Sequence, residues 1–87
     1  MTILPEVTSV RAQADSSLIV TFASGEARRF DMSPYLDRGV FVRLKNPGFF
    51  RLACVELGTV AWPGGLDIAP ETLYYKSTEI NDQSSVA

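Results

Sequence analysis

Hydrophobicity alternates with a period of two over residues 18–23, where every second position holds a large apolar residue: Leu18, Val20 and Phe22. This alternation, in β-branched and aromatic residues, is typical of a half-buried strand. Turn residues flank it, with Asp15-Ser16-Ser17 before it and Ser24-Gly25 after it. We therefore predict a three-stranded antiparallel meander with strands over 5–14, 18–23 and 26–31.

The next segment lacks this alternation and contains two signals for the start of a helix. Ser33-Pro34 and Asn46-Pro47 each place a capping residue before a proline. Proline is tolerated at the first helical position because its missing N–H would have no intrahelical partner there. Gly39 ends the first short turn. Residues 34–51 are thus predicted to form short helical turns laid over the sheet, not one long helix.

A second hairpin is predicted over 52–62, with its turn at Leu57-Gly58, and Pro63-Gly64-Gly65 is expected to end its ladder. Pro70-Glu71 then opens a helix that runs to about Ser77, with an acidic side chain in its first turn.

The predicted fold class is α+β, a small antiparallel sheet of two hairpin units with about five strands and short helices. Residues 1–77 form the single domain. Residues 78–87 are polar and aperiodic, so they are predicted to be a disordered tail.

Charge is unevenly distributed along the 87 residues, whose net charge is −2. Residues 28–51 carry six cations and two acids, a balance of +4, whereas residues 52–87 carry one cation and five acids, a balance of −4. Opposite charges in the two halves could attract each other within one chain or between two chains.

Several classes of protein are excluded by what the sequence lacks. The single cysteine, Cys54, rules out an intrachain disulfide. We expect no signal peptide and no membrane span, hence a cytoplasmic protein. The absence of histidine removes the usual general base and the commonest metal ligand. No cofactor, metal or catalytic site is predicted.

Two stretches of sequence are familiar: FDMSPYLDRGVFVRLKNPGFF after the meander and GTVAWPGGLDIAPETLY at the second hairpin. Over residues 5–76 the chain resembles a family of small bacterial proteins known as domain of unknown function number twenty-four forty-two. The most specific positions are residues 58–63 with Gly65, Asp67, Pro70, Glu71, Leu73 and Tyr74. The resemblance implies a compact α+β domain, which in some members precedes a helix-turn-helix domain, and it implies no established activity.

The best candidates for paired carboxylates are Asp67 and Glu71, close to the start of the last helix. Two acids could share a proton or bind a divalent cation. The simpler interpretation is structural: both lie where a helix N-terminus attracts negative charge, and Asp67 is predicted to accept hydrogen bonds from backbone N–H groups in 64–72. We favour this second interpretation.

Three aromatic residues are candidates for contact with a ligand or partner. Trp62 could stack on a ligand, but we favour a place at the edge of the core with its indole N–H bonded to a backbone carbonyl. Tyr74 and Tyr75 are adjacent on the predicted helix, so one of them should be exposed or at an interface.

Cys54 and the basic residues have simpler interpretations than catalysis or phosphate binding. Cys54 lies between apolar residues and is predicted to be a buried small hydrophobe. Arg28 and Arg29 are adjacent on a strand and must point to opposite faces, so pairing with Asp31, Asp37 and the acidic C-terminal segment is preferred to one phosphate-binding face.

The sequence thus favours a non-enzymatic protein-interaction or regulatory module that binds itself, as a homodimer, or another protein. The alternative is a nucleic-acid-associated accessory protein that uses the basic 28–51 segment, although we expect no tight binding by this chain alone. A small enzyme that uses acidic residues is the third and least favoured hypothesis.

Overall fold

Two antiparallel sheets and several short helices form the molecule, which a computed structural model describes over residues 5–80. In chain order the strands are β1 (Val7–Ala12), β2 (Ser17–Phe22), β3 (Ala27–Asp31), β4 (Cys54–Glu56), β5 (Thr59–Trp62), β6 (Leu66–Ile68) and β7 (Thr78–Glu79). The first sheet has the strand order β1-β2-β3-β7 and the second the order β4-β5-β6. The predicted α+β class is confirmed, with more strands than the five expected.

The predicted meander is the centre of the first sheet. Leu18, Val20 and Phe22 of β2 are each at most 2% exposed, and they lie on one face of the sheet with Phe30 of β3, the partner of Leu18. Because side chains alternate across a strand, the residues between them, including Ile19, lie on the opposite face. The period of two therefore determined which side of this sheet is buried.

In both loops of the meander the closing backbone hydrogen bond, from Gln13 to Ser17 and from Phe22 to Glu26, encloses three residues, and the third of them is left-handed. Gly25 has a φ of 91° at the end of the β2–β3 loop, and Ser16 has a φ of 68° at the end of the β1–β2 loop. A type I turn followed by a residue in this conformation is a common three-residue hairpin connection. Asp15 supports the first loop because its carboxylate accepts hydrogen bonds from the N–H and hydroxyl of Ser17.

Short helices cover residues 33–50, as predicted. Two 3-10 helices, Ser33–Tyr35 and Gly39–Lys45, precede α1 (Pro47–Phe50). Asn46 caps α1 as expected, since its side chain accepts from the N–H groups of Gly48 and Phe49.

The predicted cap at Ser33 is wrong. Ser33 is the first residue of its 3-10 helix, and the cap position is Met32, which makes no side-chain cap bond. Asp31 instead accepts from the N–H and the hydroxyl of Ser33 at 3.0 and 2.7 Å. Gly39, predicted to end a turn, begins the second 3-10 helix with a φ of 47°.

The second sheet contains the predicted hairpin and one strand that was missed. Pro63-Gly64-Gly65 does not end the ladder: it connects β5 to β6, and Trp62 pairs with Leu66 across it. Proline and glycine weaken a strand, but they are also the residues of tight turns, and the short run Leu66–Ile68 resumes the apolar-polar alternation.

The last helix and strand close the first sheet. Helix α2 (Pro70–Tyr75) is followed by β7, which pairs with β3 through the Cα partners Arg28 with Glu79 and Arg29 with Thr78. The predicted boundary at residue 77 was therefore too early, because two residues of the supposed tail form an edge strand. Residues 81–87, the rest of that predicted disordered tail, lie outside the described residues.

One hydrophobic core joins the two sheets and the helices. Its fully buried members include Leu18 and Phe30 from the first sheet, Val60 from the second, Leu44 from the second 3-10 helix and Leu73 from α2. Each short helix thus contributes very few buried side chains, and each of those matters for the stability of the whole domain.

Candidate functional site

A polar network around Tyr74 fixes α2 to the first sheet. The Tyr74 hydroxyl donates to a Glu26 carboxylate oxygen at 2.9 Å, and the other carboxylate oxygen is 2.6 Å from the guanidinium of Arg28. That guanidinium lies over the Tyr74 ring, 4.6 Å from its centroid, and also donates to the hydroxyl and carbonyl oxygens of Ser77. The Phe22 and Tyr74 rings are nearly perpendicular, with centroids 5.2 Å apart. Tyr74 is therefore half-buried and structural.

The Glu26 carboxylate in this network makes stability depend on pH. The hydrogen bond from Tyr74 and then the Arg28 guanidinium lower the pKa of Glu26 below its ordinary value of 4.5. A lowered folded-state pKa gives a stabilising contribution that is present above the unfolded pKa and is lost as pH falls through the folded pKa. Tyr74→Phe should move the pKa of Glu26 back towards 4.5, so thermal unfolding midpoints measured from about pH 6 downward should fall less in this variant than in the wild type.

The matched control is Tyr75→Phe, which removes a hydroxyl from the neighbouring exposed ring. It should leave the slope of stability against pH unchanged. A Tyr74→Phe curve parallel to that of the wild type would show that Tyr74 does not set the protonation of Glu26.

Tyr75 is the exposed member of the predicted pair, with 73% of its surface accessible. It borders an open groove of about 280 Å³ together with Phe22, Tyr74 and the first described residues, Pro5 and Glu6. The expectation that one tyrosine is exposed is confirmed.

Trp62 is a core residue, as the favoured interpretation held. It is 2% exposed, and its indole N–H donates to the carbonyl oxygen of Phe50 at 2.9 Å. The Phe50 ring lies 6.0 Å from the Trp62 ring. Trp62 therefore joins β5 to α1 and offers no face to a ligand.

Asp67 does not cap α2, and that prediction is wrong. The cap position is Ala69, which makes no side-chain bond, and Asp67 lies in the middle of β6 opposite Ala61. Leu66 and Ile68 point to the core, so alternation sends Asp67 to the exposed side. Glu71 lies in the first turn of α2, as predicted. Within residues 5–80, no group of three or more cysteine, aspartate and glutamate residues is arranged to hold a metal ion.

Asp67 is among the residues that line a pocket of about 250 Å³ between β6 and the 3-10 helices. The other walls are mainly apolar and come from Phe30, Met32, Tyr35 and Phe41. The Phe30 and Tyr35 rings are stacked, with centroids 5.5 Å apart. No pattern in the sequence indicated this pocket, because its walls come from segments that are far apart along the chain.

Cys54 is exposed, contrary to the predicted burial. It lies on the edge strand β4, opposite Ala61, and its sulfur is 3.5 Å from the Ala61 carbonyl oxygen. The apolar neighbours Ala53 and Val55 suggested burial, but β4 lies at the edge of its sheet and all three of its residues are exposed.

Within residues 5–80, the basic residues do not form the expected pairs with the acidic C-terminal segment. Arg28 pairs with Glu26, Arg29 with Asp15, and Lys45 with Asp37 at 2.5 Å. Among the acidic residues that were expected to pair with these cations, only Asp37 forms one of these ion pairs. Within the described part of the chain, none of these ion pairs involves an acid after residue 37.

Leu57 is the feature that the sequence analysis missed. It is 100% exposed at the tip of the β4–β5 hairpin, and its φ is 53°. Gly58 follows with a φ of 78°, so both central residues are left-handed, as in a type I′ turn. Such turns favour Asn-Gly or Asp-Gly. The unusual leucine at the first turn position was therefore the sequence signal that could have identified this residue. Other exposed large apolar residues include Leu52, Val55, Val40 and Val42.

No helix within residues 5–80 is long and apolar enough to cross a membrane. No curated protein and no solved structure matches this chain. A family model described as Protein of unknown function (DUF2442) matches residues 7–79, which extend from β1 through β7. This range covers most of the 87 residues, and it agrees with the resemblance carried by residues 58–74. The chain belongs to that family.

Proposed function

We propose that this protein is a non-enzymatic interaction module that pairs with a second copy of itself through the β4–β5 hairpin. The observation that carries the proposal is Leu57, a large apolar side chain that is fully exposed on a left-handed backbone. A non-glycine residue in this conformation costs about 1–2 kcal/mol. Strained backbone conformations cluster at catalytic and binding sites, where the strain is part of the mechanism.

Nearby residues support an apolar contact at this hairpin. Val55, two residues before Leu57 on the same hairpin, is 37% exposed, and Leu52, just before β4, is 51% exposed. An exposed leucine at a loop tip can insert into a partner's apolar surface, and burial of one such side chain contributes about 1.5–3 kcal/mol. The hairpin thus presents Leu57 as an apolar anchor at the end of two paired strands of the second sheet.

The distribution of charge supports a second copy as the partner. Arg38, Arg43 and Arg51 make no ion pair within residues 5–80, and neither do Glu56 and Glu71. The basic middle and acidic end of the sequence are therefore left with charges that two chains could pair with each other. In a two-fold dimer each contact of this kind occurs twice.

Nucleic-acid binding has less support. Three of the six cations of the 28–51 segment are already neutralised by Glu26, Asp15 and Asp37. Non-specific binding to DNA depends on cations that are available to phosphates, and the net charge of −2 opposes it.

A non-catalytic role and a cytoplasmic location form part of the same proposal. The chain has no histidine to serve as a base, which supports a binding role. The exposed thiol of Cys54 suits a reducing compartment, because an accessible free cysteine is readily oxidised elsewhere.

Leu57→Asn tests the proposal because stability and association should change in opposite directions. Asparagine tolerates the left-handed conformation at this turn position, so we expect the free energy of unfolding to rise by about 0.5–1 kcal/mol. We expect the wild type to sediment as a dimer at micromolar concentration and the variant as a monomer. Equilibrium unfolding and sedimentation measure the two effects.

Leu57→Met is the matched control, since it keeps a large apolar side chain at the tip and should preserve the dimer. A wild type that sediments as a monomer would contradict the proposal. So would a Leu57→Asn variant that dimerises like the wild type. Salt-sensitive retention of a DNA duplex by a monomeric wild type would favour the nucleic-acid alternative.

A further inference from the structure

The end of the β4–β5 hairpin carries acidic residues on both sides of Leu57. Glu56 precedes Leu57 and is exposed. Glu6, also exposed, reaches the same turn from the residues before β1: its Cγ lies 3.1 Å from the place that a Cβ on Gly58 would occupy. Neither acid takes part in an ion pair within residues 5–80. The hairpin tip, formed by Glu6, Glu56 and Leu57, is therefore an apolar side chain accompanied by two negative charges.

The second 3-10 helix has exposed valines on its outer side. Side chains three residues apart eclipse each other in this kind of helix, so Phe41 and Leu44 form one row, which packs on the core. Val40 and Val42 belong to the two other rows, and they are 62% and 46% exposed. This helix thus presents apolar surface that a second molecule could cover.

Two arginines beside these valines have guanidinium groups that contact aromatic rings. Arg43 lies in the same row as Val40, and its guanidinium is over the Phe49 ring, 4.8 Å from the centroid. Arg38 precedes Val40 by two residues and lies over the Tyr35 ring at 5.2 Å. An arginine that contacts a ring can still present N–H donors to a carboxylate. Neither arginine forms an ion pair within residues 5–80.

The hairpin tip is complementary in character to this part of the helix. The exposed residues on the helix side, called the valine surface below, are Val40, Val42, Arg38 and Arg43. They combine apolar side chains with two positive charges, whereas the tip combines an apolar side chain with two negative charges. The exposed ring of Tyr75 matches the tip less well, because Glu6 lines the same groove and would repel Glu56 of another copy.

The tip and the valine surface lie at opposite ends of β5 in one molecule. Leu57 is in the turn before β5, whereas Arg43 contacts the turn after it: a Cβ on Gly64 would lie 3.0 Å from a guanidinium nitrogen of Arg43. The four residues of β5 span about 13 Å. Two copies that run side by side in opposite directions therefore bring each tip to the valine surface of the other, and two-fold symmetry closes the assembly at two copies.

We propose, on the basis of the homodimer proposed above, that the hairpin tip of each copy docks on the valine surface of the other copy. Leu57 packs against Val40 and Val42 of the second copy. Glu56 pairs with Arg43, so that an acid from the C-terminal half of the sequence meets a cation of the basic 28–51 segment. Each of these contacts occurs twice in the dimer.

Charge reversal tests the pairing of Glu56 with Arg43. Glu56→Arg and Arg43→Glu each place like charges together at both contacts of the dimer. We expect either variant alone to raise the dissociation constant of the dimer about a hundredfold, because juxtaposed like charges oppose association. An equimolar mixture of the two variants should restore the dimer, since each contact again joins a cation and an acid. Sedimentation over a range of concentrations measures the constants, and a restored dimer also shows that both variants are folded.

Arg51→Glu is the matched control. Arg51 is exposed, forms no ion pair within residues 5–80 and lies outside the valine surface, and this variant changes the net charge as Arg43→Glu does. We expect it to dimerise like the wild type. Val40→Ser tests the apolar part of the contact and should raise the dissociation constant about tenfold through loss of buried apolar surface.

Wild-type dimerisation by Arg43→Glu would overturn the proposed contact, and so would a mixture of the two reversed variants that stays monomeric. If Leu57→Asn were monomeric in either case, the hairpin would still be the site of association, and only the surface that receives it would be different. A monomeric wild type would instead overturn both this contact and the proposed function.

Discussion

Trp62→Ala is expected to lower the free energy of unfolding by about 3–5 kcal/mol. The wild-type side chain is 2% exposed, and its removal leaves a cavity between β5 and α1 where the Phe50 ring now packs. It also leaves the Phe50 carbonyl oxygen without the indole N–H that lies 2.9 Å away. Native domains have only about 5–15 kcal/mol of stability in total, so this one change should leave the protein close to unfolding.

Trp62→Phe separates the two contributions. It keeps a ring in the core and removes the N–H donor, so it should cost less than the alanine variant, mainly through the unsatisfied carbonyl, at about 1–3 kcal/mol. Chemical denaturation of the three proteins gives the comparison. If Trp62→Phe were as destabilising as Trp62→Ala, packing of the indole would not be the main source of its effect.

Leu73→Ala is expected to lower the free energy of unfolding by about 2–5 kcal/mol. Leu73 is the single buried residue of α2 and is 0% exposed. A helix of six residues is not stable in water by itself, so its attachment depends on packing. Loss of the leucine should loosen α2 and, with it, the Tyr74 contact with Glu26.

Tyr75→Ala provides the control on the same helix. Its side chain is 73% exposed, so truncation should change stability by no more than about 0.5 kcal/mol. Amide hydrogen exchange of α2 and β7 should increase in Leu73→Ala well before global unfolding, whereas Tyr75→Ala should exchange like the wild type. Unchanged protection in Leu73→Ala would mean that other contacts hold the helix.

The sequence was reliable wherever a local rule decides the structure. The alternation over 18–23 identified the buried face of β2, and the Asn46-Pro47 signal identified the cap of α1. Both depend on residues within a few positions of one another. Helical geometry explains in the same way why Tyr74 is half-buried against the first sheet while the next residue, Tyr75, is exposed.

Local rules failed where a distant segment decides the outcome. The strand β7 exists because β3 offers unpaired backbone groups at that edge, and residues 78–79 show no pattern that announces it. Asp67 precedes a helix, which suggested a cap, but pairing with β5 turns its side chain outward. Cys54 is exposed for a similar reason, since β4 lies at the edge of its sheet.

By itself, the sequence determined the fold class, the meander, the second hairpin and the presence of Trp62 in the core, because these follow from periodicity, turn chemistry and the need to bury a large ring. Only the tertiary structure decided the proposed contact at the hairpin tip and the pocket that Asp67 lines. That pocket is formed by residues of β3, the 3-10 helices, β6 and α2. These elements are far apart along the chain, so no local sequence pattern predicts that they meet. For Leu57, the sequence predicted the position in the turn but not the conformation. Its full exposure and left-handed φ result from the pairing of β4 with β5, which leaves the turn at the surface.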